Sequence, residues 1–185
     1  MTVDTCSPPS LETLPWSRSG HLEIACKPEL VAIARHFTRD LIAGCLDNED
    51  LVDEVVLLVS ELVTNAVQYA ASAGPPAAGV RPGVGLGVEC SARYVRVCVR
   101  DPYPVLPRPR TATEDAESGR GLREIVEAYA DAWWVHLRPD DKAIHVVLLR
   151  PGEVLLQGDL VRFAGTQAPQ EAPAARPPGW SQAAR

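Results

Sequence analysis

The chain's apolar positions switch repeatedly between a helical and a strand period. His21–Cys26 alternates weakly and reads as a first strand. Pro28 suits the first turn of a helix. Leu30, Ile33, Phe37, Leu41 and Cys45 follow at helical spacing and predict one buried face. Asp47 and Asn48 carry capping chemistry for a second, longer helix over about Glu49–Ala71. Its buried stripe is Leu51, Val55, Leu58, Leu62, Ala66 and Tyr69, and Glu49, Asp50, Asp53 and Glu54 favour its dipole-positive start.

A Gly- and Pro-containing loop ends that helix. Val84–Cys90 and Tyr94–Arg100 then read as a hairpin around Ser91-Ala92-Arg93. Asp101–Ser118 is aperiodic, with four prolines between Pro102 and Pro109, and reads as a loop. A third helix follows over Leu122–Ala130, with Leu122, Ile125, Val126 and Tyr129 inward. Ala132–Leu137 and Ala143–Leu149 form a second hairpin. The order β-α-α-β-β-loop-α-β-β predicts an α/β (α+β) two-layer sandwich: a mixed, largely antiparallel sheet with helices on one face. Residues 1–20 read as a flexible arm, 21–150 as the domain, and 151–185 as an extension. Its Pro/Ala-rich tail is expected to be disordered from about residue 165.

Composition narrows the function classes. The net charge of −6 and the lack of a basic run argue against direct nucleic-acid binding. The start has no secretion signal, and no apolar run approaches the ~20 residues of a membrane helix. A soluble, cytoplasmic protein without membrane association is expected. Lys27 and Lys142 are the only lysines, which with abundant Ala, Gly and Pro reads as a high-GC bacterial coding bias. Five widely spaced cysteines without C-x-x-C read as reduced core residues. His36, His136 and His145 show no metal-ligand spacing. Trp133-Trp134 begins a strand, so its indoles should point to opposite faces.

Three clusters carry candidate chemistry. Glu61 and Asn65 are four apart and share a helix face, interrupting an apolar segment. The carboxylate can polarise a hydroxyl or water, and the amide oxygen can ligate Mg²⁺, or the pair is a solvated helix face. Asp101 ends an apolar strand and can accept from the exocyclic amine of a base, or simply begin a turn before Pro102. Gly119, Arg120 and Gly121 precede Leu122 at a loop-to-helix junction. There a phosphate can approach free N–H groups, with Arg120 and Arg123 adding positive charge. Arg108 and Arg110 read as solvated loop charges.

In this order the clusters resemble the histidine-kinase-like ATPase (GHKL) superfamily, over about His21–Leu149. Glu61-Leu-Val-Thr-Asn65-Ala resembles its N box, Asp101 falls at the first glycine box, and Gly119-Arg-Gly-Leu resembles the second. The most similar branch is the anti-sigma-factor serine/threonine kinases, particularly their short actinobacterial relatives. The resemblance implies a Bergerat-type ATP-binding fold, with ATP and Mg²⁺ as cofactors. It implies Glu61 as general base, Asn65 as Mg²⁺ ligand, and Asp101 as reader of the adenine amine. Gly119, Arg120, Gly121 and Leu122 would form the end of a lid that cradles phosphates.

An anti-sigma antagonist protein, a sigma factor or both are the implied partners, and a homodimer is a further expectation. The chain departs from the pattern at several positions. Asp101-Pro-Tyr103-Pro-Val replaces D-x-G-x-G, and Asp141-Lys142-Ala143 stands for Gly-Lys-Thr. Gln68 and Tyr69 follow the N box in place of a basic residue and His. These departures keep open a second reading, a catalytically weak nucleotide-binding module that regulates by sequestering a partner.

Overall fold

The computed structural model describes residues 18–73, 83–105, 122–156 and 158–159, with backbone alone for 122–124. Strand β1 (Arg18–Ile24) leads through a 3-10 turn at Pro28–Leu30 into α1 (Val31–Ile42) and α2 (Glu49–Ala73). Then come β2 (Val84–Cys90), β3 (Tyr94–Asp101), α3 (Leu122–Tyr129), β4 (Ala132–Leu137) and β5 (Lys142–Leu149). The strands form one sheet in the order β1-β2-β3-β5-β4. The sheet, expected to be mixed, is antiparallel in all four pairings. The reason is that both hairpins dock side by side through β3 and β5, so no crossover between parallel neighbours is needed.

All three helices cover one face of this sheet. Strand alternation sends Leu86, Val88, Val97, Val99, Ile144, Val146 and Leu148 toward them, where they meet Val55, Leu58, Val59, Leu62 and Val63 of α2. Asn48 caps α2 by accepting from the Leu51 N–H at 3.1 Å, as its side-chain chemistry predicts. Contrary to the sequence expectation, α2 is long and apolar enough to cross a membrane. Eleven of its residues are nevertheless buried within the sandwich, which makes it the core helix of the fold.

Of the predicted apolar face of α1, Leu30, Phe37, Leu41 and Cys45 pack against the core, each only partly buried. Val31, Ala34, Thr38 and Ile42 are the buried positions, whereas Ile33 is exposed. Phe37 and Leu41, packed on the core, also approach β1. Gly20 makes this approach possible, since a Cβ there would lie 2.6 Å from Leu41 Cδ1 and 2.8 Å from Phe37 Cζ. β1 itself spans Arg18–Ile24, earlier than the alternation at His21–Cys26 suggests.

The opposite face of the sheet carries a small second cluster of Ala132, Trp134 and Val147, with Leu155 packed against it. Arg93 fastens the segment after β5. It pairs with Glu153 at 3.0 Å and Asp159 at 3.1 Å and donates to the Val154 carbonyl at 2.8 Å. Trp133 and Trp134 do face opposite sides, but neither is exposed: Trp133 packs on the main core and Trp134 is buried in the second cluster.

Trp134 stacks on His145, with ring centroids 4.9 Å apart and planes 4° from parallel. Burial above all, then Arg96, His136 and Arg138, push the His145 imidazole down to about 4. An unfolded imidazole titrates near 6.5, so its neutral burial contributes fully above that pH and is lost as pH falls toward 4. Between pH 7 and 4 the wild type is expected to lose up to about 3 kcal/mol more stability than His145→Gln. Urea unfolding at both pH values checks this, and parallel losses in the two proteins would count against it.

Candidate functional site

The site begins on α2, where the core-forming apolar pattern is broken once per turn. Glu61, Asn65 and Tyr69 occupy successive turns of one stripe. All three are partly buried, flanked by the fully covered Leu62, Val63, Ala66 and Val67. Among the described residues, neither Glu61 nor Asn65 has a side-chain hydrogen bond. A rigid core helix therefore presents a carboxylate and an amide whose oxygens are not used internally. Oxygen donors of this kind suit a hard cation such as Mg²⁺.

Asp101 closes β3 and is 2% exposed, with Pro102 and Tyr103 buried after it. It was expected to await a donor from a base. The structure supplies one from within the chain. Lys142, the first residue of β5, lies directly across from Asp101 in the strand register and is 1% exposed. Its Nζ lies 3.0 Å from Asp101 Oδ2 and 3.1 Å from Oδ1. It also donates to the Tyr103 carbonyl at 3.2 Å. The Tyr103 N–H donates to Asp101 Oδ1 at 3.1 Å.

Tyr69 joins the two halves. Lys142 Nζ stands 4.8 Å from the centroid of the Tyr69 ring, a cation–π contact. The Tyr69 and Tyr103 rings meet edge to face at 5.5 Å and 66°. The stripe bearing Glu61 and Asn65 thus runs along α2 to the Asp101–Lys142 pair, with Asn65 one turn from the contact.

Burial pushes the Asp101 carboxyl up, while Lys142 and the Tyr103 N–H pull it partway back. Burial likewise raises the Tyr103 phenol, and neighbouring Cys26 and Asp101 add to this. Cys26 is raised by its own burial and then by Asp101.

Lys142 and Tyr69 stand in the motif segments compared with the family, but the sequence reading gives neither a role in this site. Tyr69 falls on the predicted buried stripe of α2 and is partly buried, its ring meeting Lys142 and Tyr103. Lys142 had a signal: one of two lysines in the chain, placed at the start of an otherwise apolar strand. Ala143, where a hydroxyl is missing relative to Gly-Lys-Thr, pairs with Arg100 on the opposite face of the sheet. A hydroxyl there would not face Asp101.

Leu122 opens α3, with only its backbone described. Gly119, Arg120 and Gly121 lie outside the described residues, as do Arg108 and Arg110.

Residues 24–148, more than half of the chain, match the family model for the histidine kinase-like ATPase domain. No curated protein matches the sequence. Among solved structures, the chain is similar to the RsbU and RsbW domains of a Mycobacterium tuberculosis protein, with 19% identity and a TM-score of 0.50. The match covers 75% of this chain and 34% of that one, so the chain spans about a third of that structure's length.

Proposed function

Because the chain belongs to the histidine kinase-like ATPase family, we propose that it binds ATP with Mg²⁺ and acts as a regulatory serine/threonine protein kinase of the anti-sigma type. The observation that carries this reading is the α2 stripe of Glu61, Asn65 and Tyr69 running to the buried Asp101. In it, a candidate general base, a candidate cation ligand and a candidate reader of the adenine amine follow one another from α2 to the end of β3.

In this reading the amide oxygen of Asn65 holds the cation. Glu61 accepts the proton of a seryl hydroxyl on a small antagonist protein as that oxygen takes the γ-phosphoryl group and ADP leaves. Gly119, Arg120, Gly121 and Leu122 would hold phosphate oxygens through backbone N–H groups and the guanidinium. When bound, Mg²⁺ neutralises charge on the phosphates. Regulation follows if a sigma factor and the antagonist compete for the protein with different affinities in its nucleotide states. The similarity to a structure containing an RsbW domain supports the fold.

A second reading, a sequestering module without transfer activity, is favoured by one specific observation: the Asp101 carboxylate is already engaged by Lys142. Nucleotide titration calorimetry with Mg²⁺ and label transfer from γ-labelled ATP to candidate antagonist proteins separate the two. The kinase reading expects both binding and transfer, with Asn65→Ala weakening Mg²⁺-nucleotide binding by roughly 10–100-fold, the worth of one charge-assisted contact. Binding without transfer to any antagonist supports sequestration. A folded protein that binds no nucleotide ends both.

A further inference from the structure

A carboxylate that reads a base alone offers only hydrogen-bond acceptors. The amine of adenine can donate to it, while the carbonyl of a 6-oxopurine meets like polarity and is rejected. Asp101 is not alone. Lys142, a pure donor, lies 3.0 Å from its Oδ2, and both side chains are 2% exposed.

The three N–H groups of Lys142 have three partners: the Asp101 carboxylate, the Tyr103 carbonyl and the face of the Tyr69 ring. The ring, at 4.8 Å, is the weakest of these and the easiest to exchange. A purine edge taking its place meets an acceptor and a donor side by side. Adenine presents an amine donor next to a ring-nitrogen acceptor. A 6-oxopurine presents a carbonyl acceptor next to a ring N–H donor. Each edge satisfies the Asp101–Lys142 pair, in opposite order.

We infer that Lys142 is a specificity-determining residue of the nucleotide site, and that with Asp101 it forms a donor–acceptor pair admitting 6-amino- and 6-oxopurine triphosphates alike. This rests on the nucleotide-binding reading above. The register explains why Lys142 serves here: Asp101 and Lys142 are directly opposed across β3 and β5. Both side chains therefore leave the sheet on the same side, toward α2.

The test is titration calorimetry of the full chain with Mg²⁺ and either ATP or inosine triphosphate, which differ at the 6-position edge. The wild type is expected to discriminate by less than about fivefold, and Lys142→Met to prefer ATP by at least about fivefold more than the wild type does. A wild-type preference for ATP of about fivefold or greater overturns the inference, as does an unchanged ratio in folded Lys142→Met. Should Lys142→Met not fold, the wild-type ratio decides by itself. ATP binding with strong rejection of inosine triphosphate removes the role of Lys142 alone. Failure of either nucleotide to bind wild type removes the nucleotide site along with it.

Discussion

Glu61→Gln is expected to lower phosphoryl transfer by roughly 10²–10⁴-fold while changing nucleotide affinity by less than about threefold. Glutamine keeps the shape and polarity of the side chain but cannot take the hydroxyl proton. The split between transfer and binding is the informative part. Glu61 is partly buried and, among the described residues, has no side-chain hydrogen bond. Its replacement should therefore cost the fold less than about 0.5 kcal/mol. Single-turnover transfer and calorimetric affinity, measured on the same preparation, check both halves. Transfer at the wild-type rate would remove Glu61 as the base. A parallel collapse of affinity and transfer would make it a binding residue instead.

Lys142→Ala is expected to destabilise the protein by about 3–5 kcal/mol, because it leaves a buried carboxylate without its partner. The Tyr103 carbonyl and the Tyr69 ring lose the same donor. The double variant Asp101→Leu/Lys142→Met removes both charges together and should recover most of that loss.

The pH dependence has a definite sign. Burial already raises the Asp101 carboxyl and Lys142 opposes the rise, so removing Lys142 raises it further. A raised folded-state carboxyl favours the folded state at low pH and is lost as pH climbs through it. The stability gap between wild type and Lys142→Ala should thus narrow from pH 7 to pH 4.5 in urea unfolding. A gap that widens on acidification would show that the pair is not buried as described.

Much of the fold was legible because local periods carry it. The β2–β3 hairpin appears with the predicted turn, and α3 and β4 begin where their patterns begin. α2 starts at Glu49 behind its Asn48 cap and extends two residues past the predicted end, to Ala73. The inner face of α1 was legible in part: Leu30, Phe37 and Leu41 do pack on the core, but Ile33 is exposed and the fully covered stripe is Val31-Ala34-Thr38-Ile42, a second helical stripe of the same segment. Only the neighbouring surfaces decide which of the two is fully covered.

The candidate site divides along the same line. Helical spacing alone put Glu61 and Asn65 on one face of α2, and strand-end chemistry singled out Asp101. Those are properties of neighbours in the chain, so the sequence determined them. The partner of Asp101 was a matter for the tertiary structure. Forty-one positions separate Asp101 from Lys142, and no local period links them. Their meeting depends on β5 docking against β3 in one register rather than its neighbour. A shift of one residue would turn Lys142 to the other face of the sheet and leave the carboxylate buried without a cation.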